Sequence, residues 1–164
     1  MTASKPPGAA VPATDIARVL GFASPAYATA LARHAPAELA PDLVLYDLAE
    51  ASRDNRDLRA DHSFLQGRFW KIGQSGQGDG WLLGRDGLVH WFDHNHGDIA
   101  EGLLVGMGLD LDQWIELARV IKQYERRLDV DEALFDDAAC REEFRQALNA
   151  ISPTLFDLYP YGYF

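Results

Sequence analysis

The side chains best suited to chemistry are His90, Asp93, His94, His96 and Asp98, clustered in one short stretch. Imidazole and carboxylate together can hold zinc or another divalent ion, and three ligands with an open position would activate water. One reading is therefore a metal-dependent hydrolase using His90, Asp93, His94 and His96. The spacing, however, is not a motif with known mechanics such as His-Glu-x-x-His, and Asn95-His96-Gly97 has the composition of a turn. The expectation is that no metal and no cofactor is held. The glycine-rich loop through Gly73, Gly76, Gly78 and Gly80 lacks the Lys-Ser/Thr of a phosphate loop and carries Asp79, which would oppose an anion. It leads into a strand, so no helix N-terminus is offered to a phosphate. Ser24, Ser52, Ser63, Ser75 and Ser152 lie outside any Gly-x-Ser-x-Gly elbow, and Cys140 reads as packing on the flank of an amphipathic helix. No active site is legible, and the chain is expected not to be an enzyme.

The element that must position these residues is the stretch from Phe69 to Gly97. Three apolar runs, Phe69 to Ile72, Trp81 to Leu83 and Leu88 to Phe92, are separated by QSGQGDG and GRDG, the punctuation of consecutive hairpins. An antiparallel meander is predicted, with Asp86-Gly87 supplying the positive φ of a tight turn. Alternation along the third strand sends Val89, Trp91 and Asp93 one way and His90, Phe92 and His94 the other. One face reads as core and the other as mixed.

The phrase Ile72-Gly73, the glycine-rich turn ending in Gly78-Asp79, a short apolar strand, a glycine, then Val89-His90 and Phe92-Asp93-His94 resembles the central signature of the SUKH superfamily. That superfamily groups bacterial immunity proteins with regulators of fungal cell-wall synthesis. The helix beginning Leu111-Asp112-Gln113-Trp114-Ile115 resembles the one that follows the family's sheet, whereas the first 60 or so residues match only in outline. The resemblance implies a single α+β domain over residues 13–164, with helices packed on one face of a curved, mainly antiparallel sheet. It implies an immunity protein that occupies a toxin, often a nuclease, with an intracellular regulatory scaffold as the family's other role. It also places Asp93 and His94 where a polar pair can tie the strand end to the neighbouring turn.

Elsewhere the chain reads as short helices around the sheet. Residues 1–12 are rich in proline and small side chains and read as a flexible tail. Thr14 or Asp15 can cap a first helix stopping near Gly21, and Ser24-Pro25 can start a second that runs to Pro36. DLVLY, ending at Tyr46, is a possible strand. The mixed charges from Asp47 to Leu58 suggest an exposed helix or ordered loop, whose Asp47, Glu50, Asp54, Asp57 and Asp61 form an alternative partner-facing surface. The glycine-broken run from Ile99 to Gly108 suits a short strand or buried loop. Asp110 is a good cap for an amphipathic helix over Leu111, Trp114, Ile115, Ala118, Ile121, Tyr124 and Leu128. Asp131 is expected to start another, with Leu134, Phe135, Ala138, Phe144, Leu148 and Ile151 on one side, stopping at Ser152-Pro153. The aromatic end, LFDLYPYGYF, is expected to dock on the domain.

Composition narrows the partner. Acidic residues number 25 against 15 basic ones, a formal net charge of −10. Such a field repels nucleic acid and anionic lipid and favours a basic partner. A single cysteine excludes an internal disulfide and a cysteine-based zinc site. No run approaches the roughly 18 apolar residues of a membrane helix, and no signal peptide is legible, so the expectation is a cytoplasmic protein with no membrane and no nucleic-acid partner. A basic toxin domain would be steered to it at long range. The expected contacts lie on the sheet's outer side and turns, at Trp70, Asp79, Trp81, Asp86, His90 and Asp93.

Overall fold

Helices α1 (Ala13–Leu20) and α2 (Pro25–His34) precede strands β1 (Ala37–Ala40) and β2 (Leu43–Leu45) in the computed structural model, which describes residues 12–162. Helix α3 (Leu48–Asp61) leads to the meander, β3 (Phe69–Gln74), β4 (Gly80–Gly84) and β5 (Leu88–Phe92). Strand β6 (Val105–Asp110) runs directly into α4 (Leu111–Val130), followed by α5 (Ala138–Ile151) and the single turn α6 (Leu155–Leu158). All neighbouring strands are antiparallel, and the sheet order is the chain order, β1-β2-β3-β4-β5-β6. The expected α+β class is the observed one. The expected N-terminal tail, apart from Pro12, lies outside the described residues, as do Tyr163 and Phe164.

Local chemistry accounts for most boundaries. Gly21, at φ +84°, ends α1 in the left-handed region that glycine tolerates. The Ser24 hydroxyl accepts from the Tyr27 amide at 3.2 Å and Pro25 opens the first turn of α2. Asp47 caps α3 through the Glu50 amide at 2.8 Å. Asp110 and Gln113 form a reciprocal capping box that starts α4. The helix expected from Asp131 onward is instead broken. Asp131 starts a 3₁₀ turn over Glu132–Asp136, and Asp137 caps α5 anew by accepting from the Ala139 amide at 2.7 Å. Asp137 thus competes with helix continuation, and Phe135, expected on the buried side, is left exposed.

Two apolar layers sandwich the sheet. Trp70, Ile72, Trp81, Leu83, Val89, Met107 and Leu109 face the main core, where α1, α2, α4 and α5 contribute Leu20, Tyr27, Trp114, Ile121 and Phe144. On the opposite face Leu82 and Phe92 pack with Leu65 and Ile99 in a smaller cluster. Strand β4 is buried on both sides, which explains why its sequence runs apolar without alternation. The expectation that Trp70 and Trp81 present themselves on the outer side is therefore corrected: they are 1% and 0% exposed. Their indole N–H groups are satisfied inside, Trp70 by the Tyr27 hydroxyl at 3.2 Å and Trp81 by the Asp42 carbonyl at 2.7 Å.

The junction of β2, β3 and α3 sets the frame for the turns beyond it. Strand β2 pairs with β3 only at Val44↔Gln74 and Leu45↔Gly73, and a register shift separates Lys71 from Gly73. After Tyr46 the chain departs into α3, leaving the Lys71 peptide groups without a strand partner on that side. Asn55, 1% exposed on α3, supplies one. Its Oδ1 accepts from the Lys71 amide at 2.8 Å, and its Nδ2 donates to the carbonyls of Lys71 at 2.7 Å and Ala51 at 2.8 Å. A carboxamide thereby stands in for a peptide unit of the missing strand.

Gly73 is required at the same junction by close approach, since a Cβ there would fall inside the Val44 carbonyl oxygen. Gly73→Ala must push β2 away from β3, and overpacking of this kind costs about 1–3 kcal/mol or more. The expected result is a lower urea midpoint with an unchanged slope. A midpoint equal to the parent's would show that the two strands have slack.

No helix among the described residues is long and apolar enough to cross a membrane. Cys140 is buried in α5, in keeping with a packing role.

Candidate functional site

The β1–β2 turn, the β3–β4 turn and the end of β5 meet at one end of the sheet. The β3–β4 turn is built by Ser75, whose hydroxyl accepts from the amides of Gln77 at 3.1 Å and Asp79 at 3.0 Å. Gly78 takes φ +102°, reversing the chain where an L-residue would be strained. The Gly76 amide donates to the Pro41 carbonyl at 3.0 Å, fastening this turn to the one between β1 and β2. Together these bonds turn the Asp79 side chain inward, where it is 5% exposed.

Asp79 is the hub. One carboxylate oxygen accepts from the His94 amide at 3.1 Å and lies 2.6 Å from the His94 Nδ1. The other accepts from the Tyr161 hydroxyl at 2.7 Å and from the Ser75 hydroxyl at 3.3 Å. The Trp91 indole N–H donates to the Tyr161 hydroxyl at 3.1 Å, extending the chain of bonds to β5. Burial alone would raise the Asp79 carboxyl's pKa, but the bonds from the His94 ring, Tyr161, the His94 amide and Ser75 outweigh it and hold the group below its ordinary range. Burial, joined by the bond to ionised Asp79, pushes the Tyr161 phenol above its usual value, so it remains a donor.

Beside this network lies an open cavity of about 420 Å³, lined among others by Asp42, Asp79, Asp93, Glu125, Trp91 and Tyr161. Among the described residues its lining includes no Lys, Arg or His. Burial, with Glu125 and Asp79 adding like charge, raises the Asp42 carboxyl above its ordinary value.

The expected contact residues are thus dispersed. Asp79 is 4% exposed and structural toward its own fold, while Asp93 lines the cavity rim. Asp93 also caps the 3₁₀ turn His94–His96, accepting from the Asn95 amide at 2.8 Å. The tie between strand end and turn is made by His94 with Asp79, and Asp93 serves its own turn instead. His90 points to the other face of the sheet, edge-on to Phe69 at 5.1 Å between ring centroids, with Asp86 4.0 Å from its Nε2. Of the proposed metal ligands, Asp93 and His94 therefore meet, the His96 Nδ1 lies 3.4 Å from the Asp93 carboxylate but outside their cluster, and His90 is remote from them. Among the described residues, the donor atoms that lie within 4.8 Å of one another belong to Asp79, Asp93 and His94, without His90 or His96. Asp79 already accepts on both oxygens, leaving it little capacity to ligate an ion. Sequence reasoning missed Asp42, Trp91 and Tyr161 as members of one site. The available signals were Trp91's alternation with Val89 and the aromatic tail, whose docking puts Tyr161 within reach of Asp79.

No family model matches the chain, nor does any curated protein or solved structure.

The geometry fixes how the fold responds to acid. Asp79 binds its proton less readily folded than unfolded, so its contribution to stability is complete above about pH 4 and is lost as pH falls through the lower folded value. His90 is likewise depressed, by burial against a smaller opposing pull from Asp86. Stability held by its neutral ring is complete above about pH 6.5 and declines as pH falls through the folded value. Thermal midpoints followed from neutral to acidic pH are expected to fall in two steps. His90→Gln should flatten the upper step and Asp79→Asn the lower, and a parent curve level down to pH values near 3, roughly a unit below free aspartate, contradicts both assignments.

Proposed function

We propose that the chain is a non-enzymatic protein-binding domain whose partner is basic, and that it acts as an immunity protein holding a nuclease-type toxin domain. The supporting observation is the carboxylate-lined cavity, walled in part by Trp91 and Tyr161, on a chain of net charge −10. A nuclease must be basic to grip nucleic acid, so an acidic partner is steered to it and fits where the nucleic acid would lie. Aromatic rings at the rim of such a surface supply rigid contact area at low entropic cost. The resemblance of the Ile72-Gly73 to His94 signature to SUKH immunity proteins points the same way. Of the four residues of the hydrolase reading only Asp93 and His94 fall within one cluster of donor atoms, with His90 on the other face of the sheet, which favours binding over metal-assisted hydrolysis.

Co-expression with basic toxin domains encoded beside the gene tests this reading. The expected result is rescue of growth and a complex whose association rate falls steeply as salt is raised. If every neighbouring toxin kills as efficiently with the protein as without it, and none is retained on the immobilised chain, the proposal fails.

A further inference from the structure

We infer that the cavity between Asp42, Asp93, Trp91 and Tyr161 receives one arginine side chain of the protein partner. The inference rests on the protein-binding reading and adds to it the chemistry of the central contact. The cavity, about 420 Å³, is roomy enough for one long side chain while remaining too open to hold a small ion dry. Its floor is Asp79, whose side chain is 5% exposed. Asp79's own acceptor positions are filled by the hydroxyls of Tyr161 and Ser75 and by the amide and ring of His94, the ring nitrogen lying 2.6 Å away, so Asp79 lends its charge to the cavity without offering a free oxygen. Asp42 and Asp93 add carboxylates at the walls, and like charge from Glu125 and Asp79 crowds Asp42.

The occupant must therefore be cationic, and the two aromatic side chains in the lining select among cations. A guanidinium is planar, weakly hydrated and always charged; it stacks on aromatic rings and pairs with carboxylates through two parallel N–H bonds. An ammonium offers a compact, strongly hydrated charge that gains less from such walls. A divalent ion could draw on Asp79, Asp93 and His94, whose donor atoms lie within 4.8 Å of one another, but Asp79 spends both oxygens on existing bonds, one of them to the His94 ring, and Asp93 accepts from the Asn95 amide, so few lone pairs are left for it.

The test is a titration of the whole chain with acetyl-Gly-Arg-Gly-amide, followed through the Trp91 indole N–H resonance, with the lysine counterpart and magnesium chloride as parallel arms. The arginine peptide is expected to shift that resonance saturably, with the lysine peptide about tenfold weaker. Asp42→Asn and Asp93→Asn should each weaken arginine binding about tenfold, whereas Asp136→Asn, exposed in the 3₁₀ turn before α5, should leave it unchanged. Asp42→Asn removes a crowded charge while keeping shape, so a parental thermal midpoint separates lost binding from lost folding. Equal response to arginine and lysine, a response to magnesium alone, or indifference to Asp42→Asn overturns the inference. A basic toxin that binds the parent and both variants equally well also overturns it while leaving the protein-binding reading intact. Saturable, carboxylate-dependent arginine binding without any toxin partner supports the cavity's chemistry and counts against the immunity role alone.

Discussion

Asp79→Ala is expected to lower the stability of the fold by about 3 kcal/mol, because hydrogen bonds to an ionised group contribute about 1.5–3 kcal/mol each and their donors would be left behind. The Tyr161 hydroxyl, the Ser75 hydroxyl and the amide and ring of His94 all lose their acceptor together. Two distant segments are released by one change, the C-terminal stretch carrying Tyr161 and the turn following β5. Urea unfolding read at constant slope measures the loss, and the Trp91 resonance should broaden as its Tyr161 partner is freed. Asp79→Asn keeps the shape and one acceptor oxygen but turns an amide group toward an existing donor, so about half the loss is expected. A change below about 1 kcal/mol for Asp79→Ala would mean that water replaces the carboxylate and that the network does not brace the cavity.

Asn55→Leu is expected to be comparably severe. The substitution removes the partner of both Lys71 peptide groups, and each buried group left unsatisfied costs about 1–3 kcal/mol, so a loss of about 3 kcal/mol is expected. Leucine fits the volume, which separates the effect from a cavity. Asn55→Asp retains the acceptor for the Lys71 amide but sets a carboxylate against the carbonyls of Lys71 and Ala51, so it should not rescue. Stability within about 0.5 kcal/mol of the parent would show that solvent or a neighbouring strand satisfies those groups unaided.

How much of this was legible in the sequence depended on how local the cause was. The meander was read strand by strand, because Gly78, Asp86-Gly87 and the aromatic runs act within a few residues. Asp110 and Ser24 announced their helices for the same reason. Strand β1, with sequence AELA, has no β-branched or aromatic residue and exists because β2 and α4 pack against it. The facing of Trp70 and Trp81 was misread because a sheet covered on both sides gives no polar face from which to count. Asn55 lay in a charged helix and looked like one more solvated residue. Its role follows from where β2 stops, a tertiary fact. The candidate site was half visible: Asp79, Asp93 and His94 stood out in the signature, but Asp42 and Tyr161 join them from 37 positions before and 82 positions after Asp79.

The sheet's order along the chain has a consequence for assembly. Each strand's partner is its immediate predecessor, so the sheet can form in chain order as the polypeptide emerges from the ribosome, its longest connection being the one between β2 and β3 that carries α3. Tyr161 breaks that pattern, since it reaches Asp79 only after the sheet and both long helices have been made. The cavity beside Asp79 is therefore completed only after the sheet, and a nascent chain would present ordered strands well before that end of the sheet is closed.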